Sequence, residues 1–300
     1  MTACKNAAEF IDNTLQSVLN QNYPDLEYIV VDGGSTDGTQ QIIEPYLDRL
    51  AYYVSEPDGG QYEAIQRGLA RATGDVMCWL NADDIFMPWT LSVVGEIFKV
   101  NSDVNWITGL PTFINRGGQI TSIYGSIGSY PQTFIANGWF NRNLGGFLQQ
   151  ENMFWRSNLW EMVGGFNPDL CLAADYALWT NFALHSELVP VSVPLSAFRK
   201  LPGEQRSSIA ANEYDAEVAL VMTNLPPPPV LWRWVANRGL LARSLARVLI
   251  RRRAPAILYD EEAGTWRKIF THRPVSRMSL RELAQLYAMR CKTKKASNDL

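Results

Sequence analysis

Cysteine and histidine are scarce in this sequence of 300 residues, which has four cysteines and two histidines. The cysteines lie at Cys4, Cys78, Cys171 and Cys291, without paired spacing. This distribution argues against a zinc site and against a disulfide framework, because both use cysteines at characteristic spacings. It is typical of a protein from a reducing compartment, and we expect the cytoplasm.

Long apolar runs are also missing. No run reaches the roughly 18 residues that suggest a membrane-spanning helix. The amino terminus shows no basic segment followed by an apolar core, so the sequence predicts no secretory signal. The apolar fraction of 47% and the charged fraction of 19% are ordinary for a globular chain. The length allows one large domain or two.

Two common nucleotide-binding signatures are absent, although a glycine-rich loop is present. Residues 26–31 predict a buried strand, residues 32–39 form the loop, and residues 40–47 predict a helix. This order is typical of nucleotide-binding α/β units, in which ligands lie at the carboxyl ends of strands. There is no Gly-Lys-Ser/Thr P-loop and no Gly-x-Gly-x-x-Gly fingerprint, so we expect no dinucleotide cofactor.

Strands and helices alternate up to Asp84, and a helix and a strand pair follow. Apolar periodicity predicts three further helices, over residues 6–20, 61–72 and 88–100. Short β-rich runs predict the strands, at residues 51–55, 76–80, 106–115 and 119–124. This alternation predicts an α/β fold with an open, largely parallel sheet flanked by helices.

Two adjacent aspartates follow the predicted strand at residues 76–80. Asp83 and Asp84 come directly after this apolar run, and Asn81 precedes them. Two carboxylates at the end of a buried strand repel each other. A divalent cation removes the repulsion and leaves coordination positions for substrate phosphates. The alternative is a polar loop, in which Asn and Asp only punctuate the chain.

The net charge of −3 hides an asymmetry between the two ends of the chain. Residues 1–230 hold 11 basic and 25 acidic side chains, whereas residues 231–300 hold 16 basic and 5 acidic ones. A run of four prolines at residues 226–229 marks a boundary. The sequence therefore predicts an acidic domain over residues 1–225 and a basic extension over residues 226–300.

We expect the basic extension to be helical. Its apolar residues share one helical face, and arginines at four-residue spacing form another, ending at Arg251, Arg252 and Arg253. Residues 278–289 predict one more helix. Such a basic amphipathic helix suits the inner face of an anionic membrane, and the alternative is a helix docked on the body with a solvated basic face. No nucleic-acid-binding module accompanies the charge, so no nucleic acid partner is expected.

Several motifs, taken in order, resemble those of glycosyltransferase family 2. They are NAAEFIDNTLQSVLNQNYPDLEYIVVDGGSTDGT at residues 6–39, SEPDGGQYEAIQRGLARATGD at 55–75, WLNADD at 79–84, QQENMFWR at 149–156, VGGF at 163–166 and AADYALW at 173–179. The resemblance covers about residues 2–205. It implies a GT-A fold with a mixed sheet and an inverting, hexosyltransferase-type enzyme that uses a nucleotide sugar and Mg²⁺ or Mn²⁺.

The resemblance implies roles for residues of the donor site. Asp32 matches the aspartate that hydrogen-bonds the nucleotide base, and Asp58 lies in the loop that flanks the base and ribose. Both residues alternatively serve as turn formers. Arg67 and Arg71 lie four apart on a helix and could face the diphosphate, or they are solvated surface arginines.

The resemblance also assigns the metal and the catalytic base. Asp83 matches the metal ligand, with Asp84 as a second acidic contact. Asn81 replaces the commoner aspartate, and its amide oxygen can accept a hydrogen bond from a ribose hydroxyl. Asp175 matches the carboxylate that takes the proton of the acceptor hydroxyl. Its alternative role is a helix N-cap.

The matching segments contain four further candidates, one acidic and three aromatic. Glu151 is a lesser candidate for contact with donor or acceptor. Trp155, Trp160 and Phe166 fit the core better than they fit platforms for a sugar ring.

The sequence departs from the family pattern at two places. Only residues 2–6 remain where the family has an apolar first strand, so we expect that strand to be missing or replaced and its neighbours to be unpaired. Leu201 occupies the place of a histidine that often lies near the phosphates. Arg199 or Lys200 could supply the positive charge instead.

The sequence thus favours a metal-dependent transferase that moves a sugar to a hydroxyl of a glycan or lipid-linked acceptor, as in polysaccharide synthesis at the cell envelope. One alternative is a degenerate, non-catalytic protein that binds a nucleotide sugar, as Asn81 and Leu201 would allow. The second is a nucleotidyltransferase, which would need a glycine-rich signature with a nearby lysine.

Overall fold

A computed structural model describes residues 1–124, 127–141, 146–204, 209–226 and 251–274 of the chain. The helices are α1 (Ile11–Leu19), α2 (Thr39–Ile43), α3 (Gln61–Leu69), α4 (Thr90–Val100), α5 (Gln132–Ala136), α6 (Ser157–Val163), α7 (Ala174–His185) and α8 (Ala211–Thr223). The strands are β1 (Thr2–Cys4), β2 (Ile29–Asp32), β3 (Tyr52–Ser55), β4 (Val76–Met77), β5 (Ile85–Phe86), β6 (Trp106–Thr108), β7 (Thr112–Ile114), β8 (Ile120–Ile123), β9 (Met153–Arg156), β10 (Leu188–Pro190), β11 (Ser196–Arg199), β12 (Arg251–Asp260) and β13 (Thr265–Pro274). Short 3-10 segments follow α2 and precede β9, at Glu44–Arg49 and Gln150–Asn152.

The first strand of the family fold is present as β1, so the expectation that it is missing is wrong. β1 pairs in parallel with β2, and β2 pairs in parallel with β3. On the other side of β1, the Met1 amino group donates to the carbonyl oxygen of Cys78 at 3.0 Å, and the Leu80 amide donates to the Met1 carbonyl oxygen at 2.9 Å. Three residues suffice because the strand is paired on both sides, so its neighbours are not left unpaired at this level.

The strand segment after Gly74 therefore joins two groups of strands. β4 runs antiparallel to β9, β9 runs antiparallel to β6, and β6 runs parallel to β10. A third group has the order β5-β11-β7-β8 and mixes parallel and antiparallel pairs. The sheet is mixed, as the family resemblance implies, because parallel pairs occur in all three groups: β1 with β2 and β2 with β3, β6 with β10, and β7 with β11.

Helices cover both faces of the central strands, which explains their continuous apolar sequences. Ile29 and Val31 of β2 pack on one face with residues of α3, α6 and α7. Tyr28 and Val30 pack on the other face with residues of α1 and α4. The predicted helices at residues 6–20, 61–72 and 88–100 are thus confirmed as α1, α3 and α4, each with shorter bounds.

Tryptophans fill the core below the carboxyl edge of the sheet. Trp79, Trp106 and Trp155 are at most 1% exposed. Trp79, two residues before Asn81, stacks on Trp179 of α7 with ring centroids 5.4 Å apart and an interplanar angle of 7°. This stack fixes α7 against the strand that leads into the acidic loop.

The carboxyl-terminal part of the described chain is a β-hairpin, and the expectation that Arg251–Arg253 end a helix is wrong. β12 and β13 pair antiparallel over their full lengths. Ile257 bridges to Val191 next to β10, and Ile257 and Trp266 are buried in the core with α4. Contact with the body stabilises strand structure here. The remaining expected helical residues, up to 250 and at 278–289, lie outside the described residues.

Among the described residues, no helix is both long enough and apolar enough to cross a lipid bilayer.

Candidate functional site

Asp32 ends β2 and is fully buried. Its Oδ2 accepts hydrogen bonds from the Ser35 amide at 3.1 Å and from the Ser55 hydroxyl at 2.5 Å, while its Oδ1 accepts from the Ser35 hydroxyl. The Cys4 thiol lies 3.7 Å from the same Oδ1. These bonds fix the glycine-rich loop to the ends of β1, β2 and β3, so Asp32 has a clear structural role besides its predicted contact with a base.

Asp58 lies beside the same loop. A Cβ atom added to Gly33 would stand 2.5 Å from Asp58 Oδ2, so only glycine lets this carboxylate approach the main chain. Asp58 Oδ1 accepts a hydrogen bond from the Gly60 amide at 3.0 Å, immediately before α3. The structure thus brings Asp58 beside Gly33, the residue that follows Asp32 at the carboxyl end of β2.

Asn81, Asp83 and Asp84 form a compact polar group after the central strand. The Asn81 amide nitrogen lies 3.3 Å from Asp84 Oδ2, and the Arg199 main-chain amide donates to Asp84 Oδ1 at 2.8 Å. Asp84 is fully buried, whereas Asp83 is partly exposed. Asp83 is therefore the carboxylate of this pair that is open to a ligand.

Burial shapes the electrostatics of this pair. It is the main cause that raises the pKa of Asp84 well above its ordinary value, and the negative charges of Asp83 and Glu151 act in the same direction. Burial also raises the pKa of Asp83, which the positive charge of Arg199 opposes. Two adjacent carboxylates with raised pKa values are an environment that a bound cation would relieve.

The donor chemistry of this group fits a hard divalent cation. Mg²⁺ is typically held by one or two carboxylates together with substrate phosphate oxygens. Asp83 and Asp84 can provide the carboxylates. Within the described ranges, no three or more His, Cys, Asp or Glu side chains are grouped to hold a metal on their own. Asp83 and Asp84 would therefore need oxygen ligands from the substrate.

Arg199 is buried, and its side chain supports the acidic loop by hydrogen bonds to main-chain carbonyl oxygens. Its Nε donates to the Asp83 carbonyl oxygen at 2.6 Å, and one terminal nitrogen donates to the carbonyl oxygens of Asn115 and Arg116 at 3.0 and 2.7 Å. The guanidinium carbon lies 4.7 Å from the centre of the Phe10 ring. These contacts lock the loop that carries Asp83.

The neighbouring Lys200 is exposed. Its ammonium group lies 3.6 Å from the centre of the Phe113 ring. Partial burial of the side chain lowers its pKa. Leu201 is buried and faces the core. The expected contact of Lys200 with a phosphate stays a prediction.

Asp175 lies in the first turn of α7, where it accepts a hydrogen bond from the Tyr176 amide at 2.7 Å. Burial raises its pKa to about 6. Hydrogen bonds from the Tyr176 amide and the Tyr62 hydroxyl oppose this effect, whereas the charge of Glu217 adds to it. A carboxylate with this pKa is ionised at neutral pH and still basic enough to accept a proton.

The first turn of α3 contacts both acidic regions. Gln61 donates from its Nε2 to Asn81 Oδ1 at 2.9 Å. The hydroxyl of the next residue, Tyr62, donates to the Leu172 carbonyl oxygen at 3.3 Å and lowers the pKa of the Asp175 carboxylate. Together with the stack of Trp79 on Trp179, these contacts bring the loop of Asp83 and the helix of Asp175 to one region of the molecule.

Arg67 and Arg71 lie along β3. Arg67 pairs with Glu56 at 2.6 Å, and the guanidinium carbon of Arg71 lies 4.2 Å from the centre of the Tyr52 ring. Both contacts are at the exposed side of the sheet edge. The predicted approach of Arg67 to a diphosphate is not tested by these contacts.

The remaining candidates divide between core and site. Trp155, Trp160 and Phe166 are buried together, with Trp155 and Trp160 stacked 6.2 Å apart, which agrees with their expected place in the core. Glu151 is 3% exposed and lies near enough to Asp84 to raise its pKa. The Gln150 side-chain Nε2 donates to the Trp79 carbonyl oxygen at 2.6 Å and so joins this segment to the chain just before Asn81.

Sequence reasoning missed Gln61, Tyr62 and Glu217. Gln61 and Tyr62 follow the Asp58 loop directly, and a polar pair at the start of a helix that follows such a loop was the available signal. Glu217 gave no signal, because it lies 42 residues beyond Asp175 among other surface acids of α8.

The sequence matches a known family and several known glycosyltransferases. The family model described as glycosyl transferase family 2 matches residues 1–163. An uncharacterized glycosyltransferase of Mycobacterium tuberculosis is 28% identical over 200 residues, which cover 66% of this chain and 73% of the relative. The poly-beta-1,6-N-acetyl-D-glucosamine synthase of Staphylococcus epidermidis is 31% identical over 133 residues, which cover 42% of this chain and 32% of the synthase.

Solved structures resemble the fold. Staphylococcus aureus TarS in complex with UDP-GlcNAc has a TM-score of 0.59 and 19% identity, covering 81% of this chain and 71% of TarS. The mannosyltransferase PcManGT of Pyrobaculum calidifontis, in complex with GDP-Man and Mn²⁺, has a TM-score of 0.54 and 20% identity, covering 81% and 76%. The fold is therefore of the GT-A type.

Proposed function

The chain belongs to glycosyl transferase family 2, and from this membership we propose that it transfers a sugar from a nucleoside diphosphate donor to a hydroxyl acceptor with inversion at the anomeric carbon. The observation that carries the proposal is the first turn of α3, where Gln61 contacts Asn81 and Tyr62 contacts Asp175. This turn links a candidate cation site to a carboxylate that is suited to accept a proton.

The donor occupies the carboxyl edge of the sheet in this proposal. Asp32 and Asp58 flank Gly33 on the side of the nucleotide base and ribose, and Asp83 with Asp84 lies on the side of the diphosphate. Mg²⁺ or Mn²⁺ held by Asp83 and Asp84 would neutralise charge on the leaving diphosphate. Arg199 keeps the Asp83 main chain in place for this role.

Asp175 acts as the general base. Its carboxylate accepts the proton of the acceptor hydroxyl while that oxygen forms a bond to the anomeric carbon. The bond between the anomeric carbon and the diphosphate oxygen breaks, and the nucleoside diphosphate leaves with the electron pair. Attack from the side opposite the leaving group inverts the configuration.

Nucleotide release tests the proposal directly. The protein is incubated with UDP-GlcNAc or GDP-Man, the donors bound by TarS and PcManGT, and with Mg²⁺ or Mn²⁺ and a hydroxyl acceptor. Asp175→Asn should lower turnover by about 10³-fold while donor binding survives, because only proton transfer is lost. Asp169→Asn is the matched control, since Asp169 is exposed in the loop before α7.

The other outcomes distinguish the alternatives. Unimpaired turnover of Asp175→Asn would remove this residue from the mechanism. Donor binding without turnover in the wild-type protein would indicate a nucleotide-sugar-binding protein, and release of pyrophosphate would indicate a nucleotidyltransferase. The likeness to a polysaccharide synthase makes a glycan, free or lipid-linked, the first acceptor to try.

Contact with an anionic membrane surface is a separate part of the proposal. It rests on the excess of basic over acidic side chains in residues 231–300, 16 against 5. Sedimentation with vesicles that contain anionic lipid, compared with neutral vesicles at rising salt, tests it. Equal partitioning to both kinds of vesicle would contradict it.

A further inference from the structure

The segment before α7 is held from outside by Glu217 of α8. The Glu217 carboxylate accepts hydrogen bonds from three successive main-chain amides, those of Cys171, Leu172 and Ala173, at 2.9, 2.8 and 2.8 Å. Three charge-assisted bonds to one carboxylate fix a stretch of main chain far better than an isolated bond does. Asp175 follows this stretch by two residues.

Tyr62 of α3 holds the same segment from the opposite side. Its hydroxyl donates to the Leu172 carbonyl oxygen at 3.3 Å and lies close enough to the Asp175 carboxylate to lower its pKa. Its ring packs on Phe166 with centroids 5.1 Å apart, which leaves the hydroxyl little freedom to move away. Tyr62 therefore contacts the main chain three residues before Asp175 and also influences the Asp175 carboxylate.

We propose that Tyr62 and Glu217 are positioning residues that fix the Asp175 carboxylate relative to the group formed by Asn81, Asp83 and Asp84. The inference rests on the proposed function, because it concerns the base of that reaction. Tyr62 supplies the link to the donor side, since Gln61 in the same helical turn holds Asn81. Glu217 supplies the link to α8, which lies outside the segment matched by the family model.

The two residues act on the proton of Asp175 in opposite directions. Burial, the largest cause, raises the pKa of Asp175, and the Tyr176 amide of α7 lowers it. The Tyr62 hydroxyl favours the ionised carboxylate and lowers this pKa, whereas the negative charge of Glu217 raises it. Tyr214 of α8 acts on the Tyr62 hydroxyl, whose pKa it raises. Opposite signs give the proposal a signature that a merely structural role would lack.

The test is the pH dependence of kcat/KM for Tyr62→Phe and Glu217→Gln in the full chain. We expect the acidic limb, which lies near pH 6 in the wild type, to move to higher pH in Tyr62→Phe and to lower pH in Glu217→Gln. Both variants should lose about tenfold in kcat because the base is less well placed, with the donor KM changed by less than about twofold.

Glu213→Gln is the matched control, because it removes a carboxylate from the same helix at an exposed position. Melting temperatures measured beside the kinetics show whether each variant is folded. Should Tyr62→Phe melt below the assay temperature, 3-fluorotyrosine at position 62 replaces it. This analogue keeps ring and hydroxyl but is a stronger donor, so the acidic limb should move to lower pH.

Limbs that stay in place, or that move in the same direction in both variants, would overturn the proposal. Asp175→Asn, assayed in parallel, separates this failure from failure of the proposed function. If Asp175→Asn is inactive and the limbs do not move, the base assignment stands and the positioning role is wrong. If Asp175→Asn turns over normally, the base assignment itself is wrong.

Discussion

The loops that follow β2 and β4 both carry buried aspartates at the carboxyl edge of the sheet, but their surroundings differ. Asp32 receives hydrogen bonds from Ser35 and Ser55, so the chain itself satisfies its charge. Asp84 has a second carboxylate, Asp83, next to it, and burial together with that charge raises its pKa. The first loop is complete without a ligand, whereas the second has an excess of negative charge that a ligand can balance.

Asp32 is the last residue of β2, whereas Asp84 lies between β4 and β5. Asp84 also accepts hydrogen bonds, from the Arg199 main-chain amide and the Asn81 side chain. The two carboxylates therefore differ in the negative charge placed beside Asp84, and not in whether the chain supplies donors. The variants below test this comparison.

The largest effect is expected for Asp83→Asn. The substitution removes the partly exposed carboxylate of the acidic pair, the one open to a ligand, and turnover should fall by about 10²–10³-fold because the leaving diphosphate is less well stabilised. Nucleotide release at increasing Mn²⁺ concentration measures it, with Asp25→Asn, an exposed residue of another loop, as the control. Full activity without dependence on the cation would remove Asp83 from the proposed site.

The next effect is on stability, for Asp32→Asn. An amide would place a donor against a serine hydroxyl or amide that now donates to Asp32, and the free energy of unfolding should fall by about 2–3 kcal/mol. Urea or thermal unfolding measures it. A variant as stable as the wild type would show that the hydrogen bonds around Asp32 are not what stabilises this loop, and the contrast between the two loops would be lost.

An effect of similar size is expected for the stability of Asp175→Asn as a function of pH. Folding raises the pKa of Asp175 from 3.8 to about 6, so the ionised form disfavours the folded state. The wild type should match the variant below about pH 4, lose relative stability between pH 4 and 6, and be less stable by about 3 kcal/mol above pH 6. Melting curves from pH 4 to 8 measure the difference. A difference of the opposite sign would show that Asp175 is stabilised as a carboxylate.

The smallest effect is expected for Arg67→Ala. The pair of Arg67 with Glu56 is exposed, with 33% and 59% of the two side chains accessible, so its loss should cost about 0–0.5 kcal/mol. Donor KM decides between this surface role and the role implied by the family resemblance. A change of less than about twofold favours the surface pair, and a rise of more than about tenfold would place Arg67 at the diphosphate.

Much of the fold follows from local sequence pattern. The helices α1, α3 and α4 have clear apolar periodicity, and the strand after Gly74 has a continuous apolar run, so their existence was predictable and only their bounds differ. The sequence also placed Asn81, Asp83 and Asp84 after this strand, where the structure groups Asn81 with Asp84, whereas their role in binding stays a prediction.

The rest depends on contacts between distant residues. β1 has three residues, too few for a period, and exists because β2 and the segment near Cys78 pair with it. β12 follows a stretch with helical periodicity, but Ile257 and Trp266 are buried against the body as a hairpin. The hydrogen bonds of Tyr62 and Glu217 to the segment just before Asp175 join residues that are distant in sequence, and no local pattern carries that information.

The stack of Trp79 on Trp179 has a spectroscopic consequence. Two indoles that are stacked 5.4 Å apart with nearly parallel planes couple their electronic transitions. One of them lies two residues before Asn81, and the other lies one turn after Asp175. Any change in the angle between strand and helix during turnover should alter the circular dichroism of this pair. The chain thus contains an intrinsic optical reporter of how its two acidic regions move relative to each other.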